Sequence, residues 1–404
     1  VTVVAPTALV CFVVCHGGPA DHFTYFADSL KGKGYQVQIY ASGPALTKMQ
    51  GRSDVTHFSL EEEAVTVAKK CREASIVITD VGHPFDVPLQ TALSEHAPKV
   101  FRLAYYDNPE PYVPGGYSAV AAKVMSAAQG VLFANANLAK AVLYEKESEE
   151  APIPMEKRGG LGFYPLHQAE TIAQKRASDR DRVRAEFFSQ HRLTDRGQTI
   201  LVYMGGNNEE YFERAFPAFL GFLGDLDQEG GLSDFLVVLQ QHPGAKKENR
   251  DGKLLSDRPE ILISTFSSED AQVLADQILY YQTSMGPLFA LAGGRQPIQV
   301  GHKRYDDILV RNGLCVVANS SEELKKALEP SEPIERAGSD ALIRKGLGIC
   351  SDWQDRLEKI VRERSLAGKV EKKPTHLYFL CAIGALVVMY LAVRFFRRFY
   401  VVNG

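Results

Sequence analysis

The chain has 404 residues, enough for two hydrophobic cores, and its 45% hydrophobic and 24% charged content excludes global disorder. A formal net charge of −3 excludes the strongly basic face of a nucleic-acid binder. Six cysteines without a CxxC pair suggest neither a zinc site nor a disulfide framework, and read as reduced thiols.

Short apolar runs alternate with amphipathic stretches, the pattern of strand–helix–strand units on a parallel sheet. The apolar start VTVVAPTALVCFVVC lacks the basic region and the cleavage site of a secretory signal, and it runs straight into CHGGPADHF. A buried first strand is therefore expected, followed by the helix DHFTYFADSLKGKG with Phe23, Phe26, Ala27 and Leu30 at helical spacing. YQVQIYA, SIVITD, KVFRLAYYD and GVLFA read as further strands, with SLEEEAVTVAKKCREA, PLQTALSEHA and SAVAAKVMSAA as the helices between them. Together they make a doubly wound α/β domain over residues 1–145.

Residues 146–197 change character: EKESEEAPIPMEKRGG is charged and carries two prolines, and ASDRDRVRAEFFSQHRL is a polar helix, so a linker and connecting helix are expected. A second alternating series occupies 198–368, with strands at TILVYMGG, FLVVLQQHPG, EILIST, QILYY, QPIQVG and LCVVA and a last helix at SDWQDRLEKIVRERS. Two such domains form a cleft at the carboxyl ends of their strands, where ligands bind for topological reasons. The uncharged run Leu377 to Val393 is bracketed by Lys369, Lys372 and Lys373 and by Arg394, Arg397 and Arg398. With Phe395 and Phe396 it reads as a single-pass C-terminal membrane helix over 377–396, the globular part facing the cytosol.

Several cleft-facing turns could carry chemistry. Thr283-Ser284-Met285-Gly286 ends a strand and opens a helix, where amides and hydroxyls suit a diphosphate; ordinary N-capping is the alternative. Gly205 and Gly206 permit close backbone approach beside Asn207, a hydrogen-bond donor. Asp80, His83 and Asp86 lie on a cleft-facing loop of the first domain.

The stretch ADQILYYQTSMGPLFALAGGRQPIQVGHKRYDDILVRNGLCVVANSSEELKKAL (275–328) resembles the donor-binding half of GT-B glycosyltransferases. Strand, small-hydroxyl turn, ALAGG helix, proline-led strand, acidic pair, NG and EEL helix follow in the same order, and the likeness runs over most of residues 8–365. It implies two Rossmann-like domains and a metal-independent transfer of sugar from a nucleotide-sugar co-substrate, with no other cofactor. The C-terminal anchor would place that chemistry beside a membrane lipid or lipid-linked acceptor. By resemblance, His242-Pro243 serves the nucleotide phosphate, Asp306 and Asp307 hold sugar hydroxyls, and His22 is the base, with Asp21 to orient it and His16 as the alternative. The same resemblance makes Asp80, His83 and Asp86 candidates for the acceptor side. One departure is Phe289, where many UDP-sugar enzymes carry the ribose-binding Glu. A CMP- or CDP-linked donor and a non-catalytic GT-B-like binding protein therefore stay open, whereas no convincing set of epimerase acids stands out.

Overall fold

The computed structural model describes residues 8–61, 63–110, 117–140, 153–246, 248–292, 295–329 and 336–367. The first domain carries β1 (Leu9–Val14), β2 (Gln36–Ala41), β3 (Val55–His57), β4 (Ile76–Thr79), β5 (Phe101–Tyr106), β6 (Gly130–Phe133) and β7 (Arg158–Gly160). They form one parallel sheet in the order β3-β2-β1-β4-β5-β6-β7. The second carries β8 (Thr199–Met204), β9 (Phe235–Gln240), β10 (Leu262–Ile263), β11 (Gln277–Tyr280), β12 (Ile298–Val300) and β13 (Val316–Ala318). Its parallel order is β10-β9-β8-β11-β12-β13. In each sheet the strand order reverses beside the first strand, and the loops leaving β1 and β4, or β8 and β11, part to open a crevice at their carboxyl ends.

The LVCFVV run of β1 shows why such strands are continuously apolar: helices cover both faces. Val10, Phe12 and Val14 pack with Phe23, Phe26 and Leu30 on one side, while Cys11 and Val13 meet Phe58, Val67 and Leu89 on the other. Each of these large side chains contributes about 1.5–3 kcal/mol by leaving water.

Three sequence expectations need correction. The short edge strands β3 and β7 carry too few apolar residues to show as runs, and β7 lies inside the expected linker. Two helices of that linker belong to the second domain, since Leu166–Ser178 and Arg180–Gln190 deliver Ala169, Ile172, Val183 and Phe187 to its core. The last helix, Trp353–Ala367, instead returns to the first domain, with Leu357 and Val361 in that core and Trp353 against Phe26 and Phe163. The two crossings meet where Cys350 N–H donates to Gly162 O at 2.9 Å. Gly162 has φ +70°, and a Cβ there would stand 2.7 Å from Gly348 O.

No helix among the described residues is long and apolar enough to cross a membrane, so the expected single-pass anchor and the localisation drawn from it find no support there. The 377–396 segment lies outside the described residues. The lipid-linked acceptor rested on that anchor and loses its support with it.

Candidate functional site

Strand pairing assembles the first half of the site. Val13 stands opposite Thr79 in the β1–β4 register, so the turn after β1 meets the residue that ends β4. Asp80 Oδ2 accepts the backbone N–H groups of Cys15 and His16 at 3.0 Å each, and the His16 ring at Nδ1 at 3.2 Å. A carboxylate at Nδ1 keeps the proton there and puts the imidazole lone pair on Nε2. Burial pulls the His16 pKa down, but the hydrogen bond and charge of Asp80, with Asp107 adding to them, outweigh it and hold the pKa above its ordinary value. His16 keeps 35% of its side chain exposed, whereas Asp80 is fully buried.

Asp86 opens the helix Asp86–His96 and is also fully buried, with Oδ2 accepting the His83 N–H at 2.9 Å. Burial and the neighbouring Asp80 push its pKa well above the usual carboxylate value. His83 Nδ1 accepts the Phe85 N–H at 3.1 Å, and its ring centroid lies 5.5 Å from that of His16. All three acceptor-side candidates thus gather around His16. The Cys15 thiol is within 4.8 Å of the two carboxyl groups; burial and the acids raise its pKa, so it stays protonated and is a poor cation ligand.

On the second domain, His242 ends the turn after β9, and its Nδ1 accepts the Gly244 N–H at 3.0 Å, leaving Nε2 as its donor nitrogen. Burial, then the charge of His16, lowers its pKa to about 4, so the ring is neutral at pH 7. Pro243 stiffens the turn. Asn207 Nδ2 borders the same turn, 3.4 Å from where a Cβ on Gly244 would stand. Gly205 and Gly206 serve packing: Gly205 N–H donates to Gln240 O at 2.9 Å, and a Cβ on Gly206 would come within 2.8 Å of the Tyr211 ring.

The turn before the helix Gly286–Leu291 offers less than its sequence suggests. Thr283 Oγ1 accepts the Met285 N–H at 3.1 Å, Thr283 O accepts the Gly286 N–H at 3.4 Å, and Pro287 has no N–H. Only Ser284 remains exposed, its carbonyl accepting the Tyr164 hydroxyl at 3.1 Å. Of the acidic pair, Asp307 turns inward: Oδ1 caps Val310 N–H at 2.9 Å, and Oδ2 takes Tyr280 and Gln299 at 2.9 Å each. Asp306 stays exposed beside Arg311. Phe289, 2% exposed, packs on Tyr280 in the core, so it fills space that a carboxylate would otherwise keep polar.

The expected base, His22, is 6% exposed and points into the core. Its Nδ1 is hydrogen-bonded to the Tyr105 hydroxyl at 2.6 Å, and Phe26, Phe163 and Tyr164 surround the ring. Burial lowers its pKa to about 3, so it neither reaches the cleft nor titrates near neutrality. Asp21 pairs with Lys48 and not with His22. A helical turn explains the split: His16 precedes the helix Gly17–Gly32, while His22 shares the inner face of Phe23 and Phe26.

Three residues were not among the sequence candidates. Asp107, at the end of β5, stands over the first turn of Gly17–Gly32, where a Cβ on Gly18 would be 2.7 Å from its carboxylate. Glu110 reaches the other domain, and Gln282, with φ +49°, holds a left-handed backbone beside Ser284 while bonding Asn208 at 2.9 Å. A polar residue just past a strand's carboxyl end was the available signal for Asp107 and Gln282; nothing local marked Glu110.

No protein-family model matches the chain, and no curated protein matches it. Solved structures do. UDP-GlcNAc 2-epimerase from Neisseria meningitidis, bound to UDP-GlcNAc, superposes with a TM-score of 0.57 over 88% of this chain and 99% of that chain, at 11% identity. α,α-Trehalose 6-phosphate synthase from Burkholderia multivorans gives 0.57 over 91% and 99%, at 10% identity. A glycosyltransferase from Rickettsia africae gives 0.51 over 90% and 94%, at 12% identity. The chain therefore has the GT-B fold, two Rossmann-like domains across a cleft.

Proposed function

We propose that this chain is a nucleotide-sugar-dependent glycosyltransferase in which His16 is the base. The observation that carries this reading is the His16–Asp80 pair on one domain, with His242 of the other near enough to feel the charge of His16. Neutral His16 takes the proton of an acceptor hydroxyl at Nε2 as that oxygen attacks the anomeric carbon, and the Asp80 carboxylate stabilises the imidazolium that forms. His242, through Nε2–H and with Asn207 beside it, donates to the nucleotide phosphates and steadies the departing diphosphate. The structural likeness to a UDP-GlcNAc 2-epimerase bound to UDP-GlcNAc, to a trehalose 6-phosphate synthase and to a glycosyltransferase supports a nucleotide sugar as the donor class.

A second reading, a nucleotide-sugar binder without chemistry, is favoured by the inward turns of Asp307 and Thr283 and by buried Phe289. Incubation of the full chain with UDP-, CMP- and CDP-linked sugars, followed by product analysis, separates the possibilities. Release of free nucleotide that His16→Ala abolishes supports transfer. Thermal stabilisation by a nucleotide without turnover supports the binder. A sugar epimer still attached to its nucleotide overturns transfer, and no response to any nucleotide sugar overturns both readings.

A further inference from the structure

The buried carboxyl groups behind His16 carry a second inference, which rests on the reading of His16 as the base. Asp80 and Asp86 are both fully buried, and a carboxyl oxygen of one lies within 4.8 Å of one on the other. Asp80 Oδ2 accepts three donors, whereas Asp86 Oδ2 accepts only the His83 N–H. The other oxygen of each, Oδ1, has no protein donor at all. The titratable groups around the pair are Cys15 and His16 on the loop after β1, His83 beside Asp86, Asp107 after β5, and His242 across the cleft. Two buried carboxyl groups this close do not both ionise, and a proton held by the pair lets one acid donate to the other. The uneven donor count decides the side: the negative charge belongs on Asp80 and the proton on Asp86.

We propose that Asp86 is the protonated half of a carboxyl–carboxylate pair with Asp80, and that its O–H fixes one negative charge on Asp80 and thereby the orientation and basicity of His16. Asp86 is a positioning residue: it touches no substrate and acts through Asp80. The pair presents His16 with one negative charge where a fully ionised pair would present two. Any proton His16 takes from an acceptor can later pass to solvent on its exposed side, with Asp86 keeping its own.

The test is the titration of the His16 ring in the full chain by 15N NMR, which also reports the tautomer. In Asp86→Asn the amide replaces the O–H as donor, so the expected result is a His16 pKa unchanged within about 0.3 and the same Nδ1–H tautomer. A fall of about one pH unit or more means that Asp86 was charged, and overturns the proposal. Asp86→Ala, which cannot donate, is expected to mix the tautomers; an unchanged tautomer there overturns the positioning role. Should Asp86→Asn not fold, 13C-aspartate labelling of the wild type is expected to show a carboxyl carbon still protonated at pH 7, and its absence overturns the pair. An equivalent of divalent metal in the purified protein, lost in Asp86→Asn, also overturns it, because a cation would then balance the acids. None of these readouts uses a sugar nucleotide, so an inactive chain with the expected titration removes the transferase reading and leaves the pair standing.

Discussion

Glu110 caps Ile308 across the domain boundary: Oε1 accepts the Ile308 N–H at 2.8 Å while Oε2 meets the Arg311 guanidinium at 2.6 Å. The carboxylate leaves the loop after β5, and the helix Ile308–Arg311 belongs to the other sheet. It is a polar tie that holds the two domains together in this arrangement. Glu110→Ala is expected to destabilise the closed form by about 1–3 kcal/mol, read as a lower urea midpoint and a larger radius of gyration in X-ray scattering. Glu110→Gln, which can still accept from Ile308, should lose less.

His16→Ala should lower kcat/KM for glycosyl transfer by about 10²–10⁴-fold with little change in nucleotide affinity. The pH dependence has a definite sign. His16 has its folded pKa raised, so its pairing with Asp80 stabilises the fold below the unfolded value and is lost as pH rises through the folded one. Transfer needs the neutral ring, so kcat/KM should climb over the same interval above the ordinary histidine pKa. A rate profile that rises below pH 6 removes His16 from the base role.

His242→Ala is expected to weaken nucleotide binding by about 10-fold or more, as loss of a hydrogen bond to a charged phosphate does. Because burial and His16 lower the His242 pKa to about 4, wild-type affinity should not vary with His242 protonation between pH 6 and 8. Isothermal titration calorimetry with nucleoside diphosphates measures both.

His22→Phe probes the histidine in the core. Burial depresses its folded pKa to about 3, so the stability it contributes is present above the unfolded pKa and is lost as pH falls below that value. At pH 5 the wild type should have lost about 2 kcal/mol through this residue, and His22→Phe should recover most of it in urea unfolding across pH 5 to 8. Its turnover per folded molecule should stay within about twofold of wild type; a loss of activity matching His16→Ala would restore His22 to the site.

What the sequence alone determined was the pair of doubly wound sheets, because parallel strands buried on both faces must be continuously apolar. LVCFVV, IVIT, TILVYM and FLVVLQ announce themselves for that reason. Edge strands such as Val55–His57 escape because they bury little. The loops at the strand ends were also legible from position, whereas His16 and His242 entered as candidates through the resemblance, His16 only as the alternative to His22. Which histidine of CHGGPADHF faces the cleft was not legible, since that depends on where the helix starts and which face meets β1. Nor could local sequence join Asp80 to His16, Glu110 to Ile308, or helix Trp353–Ala367 to the first core. Those contacts are made by strand register and by domains closing on each other, and the free energy that selects them lies in burial shared between residues far apart in the chain.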